Sequence, residues 1–467
     1  MRRRSASLTD RASRSSAYMK LTMGDLPATW RQRLPQLVTY IGSSTSLLIG
    51  SVAQLVAFAI LARALGVEQF GFFLAITAVT NISVQICGLG AMEPLVRRVA
   101  RDPSAYPAFI GHNIILALVS GTVVFIGLLF VLPLFLPEDG VGLGGPDDVI
   151  YLAAMFGFTN TFLVRGILLT EQIFLAHSQF VKANIAAISF GVARALTAAV
   201  ACFAFGVSTL AEWAAWHAAG HLILLIACMV AVLPLGIPKL VVQWDEVKRG
   251  LFFSWALVGQ GLRQNIDMLV LGLVAPAAMV GSFGVARRIA DTSYLAVNGL
   301  NRITYPRLAV AMEHSITDGL AISKKVLAAA VGISFLTAVG VYFVAPYLPL
   351  LFGPTYADMV PFLQAMCWVV IPFSVMAVAS EILSASGHSG IRAILFNLTL
   401  VGSAFIGLMT YAFLATGTIV ALYIVEILLA CGFWATIWYL MQRERARSAS
   451  ADAEGGVDGG KAVVSKT

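Results

Sequence analysis

The chain has 467 residues, of which 59% are hydrophobic and only 12% charged. A water-soluble domain carries about 25% charged residues to solvate its surface, so a soluble enzyme of this length is excluded. The net charge of +7 does not point to nucleic acid, because the basic residues fall in short segments between apolar runs.

A mean hydropathy of +0.85 places most side chains against lipid or other helices. In chain order, the first 36 residues carry eight Lys/Arg and read as a basic cytoplasmic tail rather than a cleaved signal. Crossing the hydrocarbon takes about 20 apolar residues, and twelve runs qualify. They are 37–61, 70–92, 108–133, 149–170, 182–205, 211–233, 250–274, 277–300, 323–346, 360–384, 391–413 and 417–440. Spans 1 to 6 form an N-lobe (37–233) and spans 7 to 12 a C-lobe (250–440), joined by a cytoplasmic linker (234–249). A Gly/Ala/Ser-rich end (441–467) reads as a disordered cytoplasmic tail. The expected fold is an all-α polytopic membrane protein of two pseudo-symmetric six-helix lobes.

With the N-terminus in the cytoplasm, most of the 31 Lys/Arg fall on that side, including Arg97, Arg98, Lys248 and Arg249. Acids such as Glu138, Asp139, Asp148 and Asp358 fall on the other, the positive-inside pattern of a multi-pass inner-membrane protein with both termini inside. The five cysteines lie far apart in apolar stretches and read as packing residues.

Adding 210 to positions in the first half lands on related features in the second. Gly71 maps to Gly281, Arg97 to Arg307 and Glu171 to Glu381, and His177-Ser178 falls one register from His388-Ser389. Six spans per half make this a parallel repeat about an axis along the membrane normal, whose lobes rock around a site at their interface.

The segment Leu61-Ala-Arg-Ala-Leu-Gly-Val-Glu-Gln-Phe-Gly71 resembles the first outer hairpin of bacterial Wzx-type polysaccharide flippases. These belong to the multidrug, oligosaccharidyl-lipid and polysaccharide exporter superfamily. Gly88-Leu-Gly-Ala-Met-Glu-Pro-Leu-Val-Arg-Arg98 is similar to that family's end of span 2. Asn265-Ile-Asp-Met-Leu-Val-Leu-Gly272 with Val280-Gly-Ser-Phe-Gly284 resembles its span 7–8 hairpin, and Ser384-Ala-Ser-Gly-His-Ser-Gly390 its span 10–11 turn. The resemblance runs over roughly 35–440. It implies translocation of an oligosaccharide linked to undecaprenyl pyrophosphate, for O-antigen or exopolysaccharide synthesis. Implied partners are that lipid-linked glycan, membrane lipids and glycan polymerase or export machinery.

Ionisable residues within the spans carry the site. A charge at the centre of a membrane helix costs at least about 2.5–3.5 kcal/mol, which favours a functional reason for each. Arg165, Arg194, Arg263, Arg287 and Arg288 are candidate substrate ligands, since a guanidinium stays charged and offers paired donors to phosphate oxygens. The competing reading pairs Asp291 with Arg288 or Arg287 at helical spacing, and Asp267 with Arg263 one turn away. Asp267 and Glu426 are candidate sites for H+ or Na+ coupling, with Asp267 equally readable as a fixed salt-bridge partner.

His217 and His221 share one helix face without completing a metal set, and read as an interhelical contact. Gln54, Asn81, Gln85, Asn160, Asn184, Gln260, Gln264 and Asn397 either line a hydrated cleft or bond between helices. No cofactor is expected.

Two rivals stand beside the flippase reading. A drug or cation antiporter of the same superfamily wants an acidic cavity, whereas arginines dominate here. A membrane-embedded glycan polymerase or transferase wants a sizeable outer loop with catalytic acids. The segment from Leu134 to Asp148 is short, and no P-loop or nucleophile elbow is present.

Overall fold

In the computed structural model, the described residues are 28–136, 146–312, 316, 317 and 319–461, with side chains from Ile49 to Ala446 apart from scattered positions. Most of the basic tail, and the loop acids Glu138 and Asp139, lie outside them. Every regular element among the described residues is helical.

Spans 1 and 2 form one helical run, Ala28–Ile86, broken at Gly66, whose φ of 74° and ψ of 171° no helix holds. Twelve residues of straight helix would cover about 18 Å. The rings of Phe58 and Phe70 instead stand 4.7 Å apart, so the chain folds back on itself there. Spans 11 and 12 do the same inside Thr399–Lys461. The break is at Leu414 (φ 54°), and Thr410 and Thr418 hydroxyls meet at 2.9 Å across the bend.

The remaining spans are Tyr106–Val131, Pro146–Ala176, Phe180–Ala204, Leu210–Val232, Trp244–Val274, Ala277–Ala311, Leu320–Val344 and Met359–Ala385. Together they make the twelve crossings that composition predicts. Among the described residues, eight stretches are long and apolar enough to cross a membrane, and two of these, Ile49–Ile86 and Gly390–Ala446, are the double crossings. Spans 7 and 8 are not among the eight; they hold Arg263, Asp267, Arg287, Arg288 and Asp291.

Three boundaries depart from expectation. Span 2 ends at Ile86, and a turn through Gly88, Leu89 and Gly90, all at positive φ, leads to a short helix Met92–Arg101. Span 8 continues to Ala311, well beyond 300. The last helix runs to Lys461 through residues whose composition reads as a tail.

The repeat is visible in the turns. Span 4 ends with Gln179 N–H donating to the Phe174 carbonyl, Ser178 standing at φ 56°. Span 10 ends with His388 N–H donating to Leu383, Gly387 standing at φ 79°. These are the same six-to-one C-terminal cap, and they make Ser178 and Gly387 the matched positions of the two halves.

The largest buried core joins both lobes at the Gly66 end of the bundle. It runs from Leu61, Phe70 and Phe73 through Leu132, Phe156 and Trp213 to Phe283, Phe352 and Tyr356. Tyr356 Oη donates to the Ala62 carbonyl at 2.8 Å, and burial raises its phenol pKa. Arg63 reaches the carbonyls of Leu350 and Leu351.

Spans 2 and 8 cross here through the repeat-related glycines. A Cβ on Gly71 would lie 2.0 Å from Ala277 O, and one on Gly281 would lie 2.1 Å from Val67 O. At the opposite end, where the termini lie, the core divides. One part belongs to the C-lobe (Val297, Leu308, Ile382, Phe433) and another to the N-lobe (Leu95, Val99, Tyr106, Ile173). Span 7 still lies along span 2, clasped by Glu246, which takes Arg98 at 2.8 Å and Arg97 at 3.4 Å. The lobes therefore meet at the Gly66 end and part toward the termini, leaving a chamber between them.

Candidate functional site

The chamber has a volume of about 720 Å³, inside the roughly 300–1,000 Å³ range of ligand pockets. Helical spacing selects what faces it, since residues three and four apart share a face. Span 2 presents Thr77, Asn81 and Gln85; span 6 presents Trp213, His217 and His221; span 8 presents Arg287, Asp291, Tyr294 and Asn298. Span 4 adds Asn160 and Val164 from a π-helical turn, Thr159–Val164. Such a turn inserts a residue and re-aims the helix face, and is frequent at functional sites.

Arg194 reaches the chamber from span 5. That span approaches span 1 closely, because a Cβ on Gly191 would lie 2.4 Å from Gly50 O. The Arg194 guanidinium lies over the Phe190 ring at 5.6 Å, and no acid pairs with it among the described residues. Arg288 donates to Gln54 Oε1 at 3.1 Å, linking span 8 to span 1. Arg263 also has no ion pair among the described residues, although its charge acts on Glu426 across the chamber wall. Glu426 is buried, and its Oε2 has no hydrogen-bond partner.

Arg287 differs. Its Nε donates to Asp267 Oδ2 at 2.8 Å and its Nη1 to Asp291 Oδ1 at 2.5 Å. Asp291 thus pairs with Arg287, one of the two partners that spacing allows. The expected pairing of Asp267 with Arg263 is corrected. Asp267 reaches across to span 8, because twenty positions along the chain become neighbours once spans 7 and 8 fold as a hairpin. Asp267 is buried, accepts from Met268 N–H as well, and does not line the chamber.

Arg165 does not line the chamber either. Its guanidinium lies against Gly88, where a Cβ would meet Nη2 at 2.6 Å, just past the end of span 2 at Ile86. A cation there faces the partly negative C-terminal end of a helix, which accounts for its burial without any ligand. Of the polar side chains singled out in the sequence, Gln54, Asn81, Gln85, Asn160 and Gln264 line the chamber, and Asn184 and Asn397 do not. The side chain of Gln260 lies outside those described.

Trp213, Tyr294 and Asn298 line it without a sequence signal, while the His217–His221 spacing was readable and its chamber-facing direction was not. Among the described residues, no three or more His, Cys, Asp or Glu gather as a metal set.

Twelve crossings in two lobes around a polar chamber are a fold that this chain shares with solved membrane proteins. An inward-facing multidrug resistance MATE family transporter of the MOP superfamily has a TM-score of 0.68 at 14% identity, over 86% of this chain and 99% of that one. Lipid II flippase MurJ, in an inward closed conformation, has a TM-score of 0.68 at 11% identity, over 85% and 87%. An outward-facing MATE transporter scores 0.58 at 16% identity, over 86% and 96%. No curated protein matches the sequence. The sequence profile of the polysaccharide biosynthesis protein family matches residues 39–312, more than half of the chain, and the chain belongs to that family.

Proposed function

We propose that this chain is a flippase, not an enzyme, moving an oligosaccharide linked to undecaprenyl pyrophosphate between the leaflets of a bacterial inner membrane. The observation that carries the reading is the charge of the chamber. Arg194, Arg263 and Arg288 face it without an acid partner among the described residues, while Arg287 is neutralised by Asp267 and Asp291. Unpaired guanidiniums in a membrane interior are costly, and an anionic lipid-linked glycan, whose pyrophosphate suits Arg263 and Arg288, offsets that cost through paired hydrogen bonds. The prenyl tail stays in lipid while the lobes, joined at the Gly66 end, rock to open the chamber on alternate sides.

The basic segments put the terminal end in the cytoplasm, so the described conformation loads from the inside. The lobe limits are 37–233 and 250–440. Glu426 is the favoured site for H+ or Na+ coupling, because it faces the chamber with a free carboxylate oxygen. Asp267, held by Arg287, is the weaker candidate. Glycan polymerase or export machinery receives the product.

The test is depletion in the native host. Lipid-linked oligosaccharide is expected to accumulate on the cytoplasmic leaflet, and Arg263→Ala or Arg288→Ala to reproduce the accumulation. Normal export in both variants, or export of organic cations by the purified chain, refutes the reading.

A further inference from the structure

The two walls of the chamber are chemically unlike. Both acids that line it, Asp291 and Glu426, stand on C-lobe spans, beside Arg263 and Arg287. The N-lobe wall presents Arg194, His217, His221, Trp213 and Phe190, with no acid among the described residues.

Its polar atoms are unusually idle. Trp213 Nε1, His217 Nδ1 and His221 Nε2 are all buried and have no hydrogen-bond partner, on side chains at most 4% exposed. A buried polar atom left unpaired costs about 1–3 kcal/mol, so three together on one chamber wall favour a ligand that supplies the missing partners.

The geometry says what that ligand looks like. His221 Nδ1 is 2.7 Å from the His217 carbonyl. A carbonyl only accepts, so Nδ1 carries the proton and Nε2 of the neutral ring is an acceptor. Trp213 Nε1 is a donor only. The imidazoles stand 4.2 Å apart between the rings of Trp213, Phe156 and Phe190. A surface that mixes a donor and an acceptor with aromatic rings suits a sugar, whose hydroxyls both donate and accept and whose C–H faces lie on rings. Arg194, fixed over Phe190 and unpaired, adds a two-pronged donor to this surface.

We infer that the N-lobe wall is a glycan subsite, built by Trp213, His217 and His221, in which Arg194 binds the carboxylate of an acidic sugar. The inference rests on the flippase reading and divides the substrate in two: Arg263 and Arg288 take the pyrophosphate, and Arg194 reads the sugar.

Thermal unfolding of the purified full chain in detergent tests it, with sodium glucuronate, glucose and inorganic pyrophosphate as probes at matched ionic strength. Glucuronate is expected to stabilise the wild-type chain more than glucose does. Arg194→Gln is expected to abolish that difference and to leave the pyrophosphate response within twofold. Arg263→Gln is expected to do the reverse. Arg194→Lys, which keeps the charge and loses the fork, guards against a folding defect and is expected to weaken glucuronate about tenfold.

A wild-type chain stabilised no more by glucuronate than by glucose overturns the proposal. So does an Arg194→Gln variant that loses pyrophosphate along with glucuronate, since Arg194 would then belong to the phosphate site. A wild-type chain that answers glucuronate but not pyrophosphate leaves the subsite standing and overturns the flippase reading instead.

Discussion

Replacing Gly71 or Gly281 by alanine is expected to push the lobes apart at the Gly66 end. The added methyl would stand 2.0 Å from Ala277 O in the first case and 2.1 Å from Val67 O in the second, both backbone atoms that no rotamer change can move. Reaching the 3.4 Å at which ordinary contact begins takes a retreat of about 1.4 Å. Overpacking of this kind costs about 1–3 kcal/mol. The cost falls only on the conformation in which spans 2 and 8 touch, because separated spans accommodate the methyl freely. The ratio of open to closed states at that end then rises roughly 5- to 150-fold. Spin labels on Glu68→Cys and Tyr347→Cys, both at that end and on opposite lobes, read the change as a growing long-distance population, with Cys202 and Cys431 first replaced by Ser. Gly127→Ala is the control, since nothing lies within 4 Å of its would-be Cβ. Distance distributions for Gly71→Ala and Gly281→Ala that match Gly127→Ala would refute the argument.

Arg287→Ala strands Asp267, whose side chain is 3% exposed. Removing one partner of such a pair is expected to cost about 3–5 kcal/mol, seen as a lowered melting temperature that Asp267→Asn partly restores. Arg165→Gln is expected to lower stability while leaving pyrophosphate binding intact, because this cation serves the end of span 2; loss of binding at unchanged stability contradicts that placement. Glu246→Gln frees Arg97 and Arg98, and should raise maleimide labelling of a cysteine placed at Asn81, as should high salt acting on the intact clasp. Tyr356→Phe leaves the Ala62 carbonyl without its donor and is expected to cost about 1 kcal/mol in thermal unfolding, with a neutral result removing the bond from the lobe junction.

The twelve crossings were legible because membrane length and apolar composition act together, and the Gly71–Gly281 match was legible because a close crossing leaves room for nothing larger. The end of span 2 was not, since the residues from Cys87 to Met92 are apolar enough to look like the last turns of the span. Only their three successive positive φ angles break it. The overrun of span 8 to Ala311 was hidden because composition reports where a helix leaves lipid, not where its hydrogen bonds stop. Spacing correctly put Asp291 within reach of Arg287, one turn along the same helix. It put Asp267 with Arg263 for the same reason and missed Arg287, because a pairing across a hairpin leaves no periodic trace. The histidines of span 6 lie on a helix apolar almost all round, so nothing in the sequence told which side faced the chamber.

The matched caps at Ser178 and Gly387 mark two copies of one scaffold, yet the copies no longer do the same chemistry. Both acids that line the chamber among the described residues belong to the second copy, and the histidine pair belongs to the first. A duplicated fold of this kind lets each half drift on its own. Changes confined to spans 5 and 6 would retune which carbohydrate is accepted, while the machinery opposite, responsible for charge balance, stayed untouched.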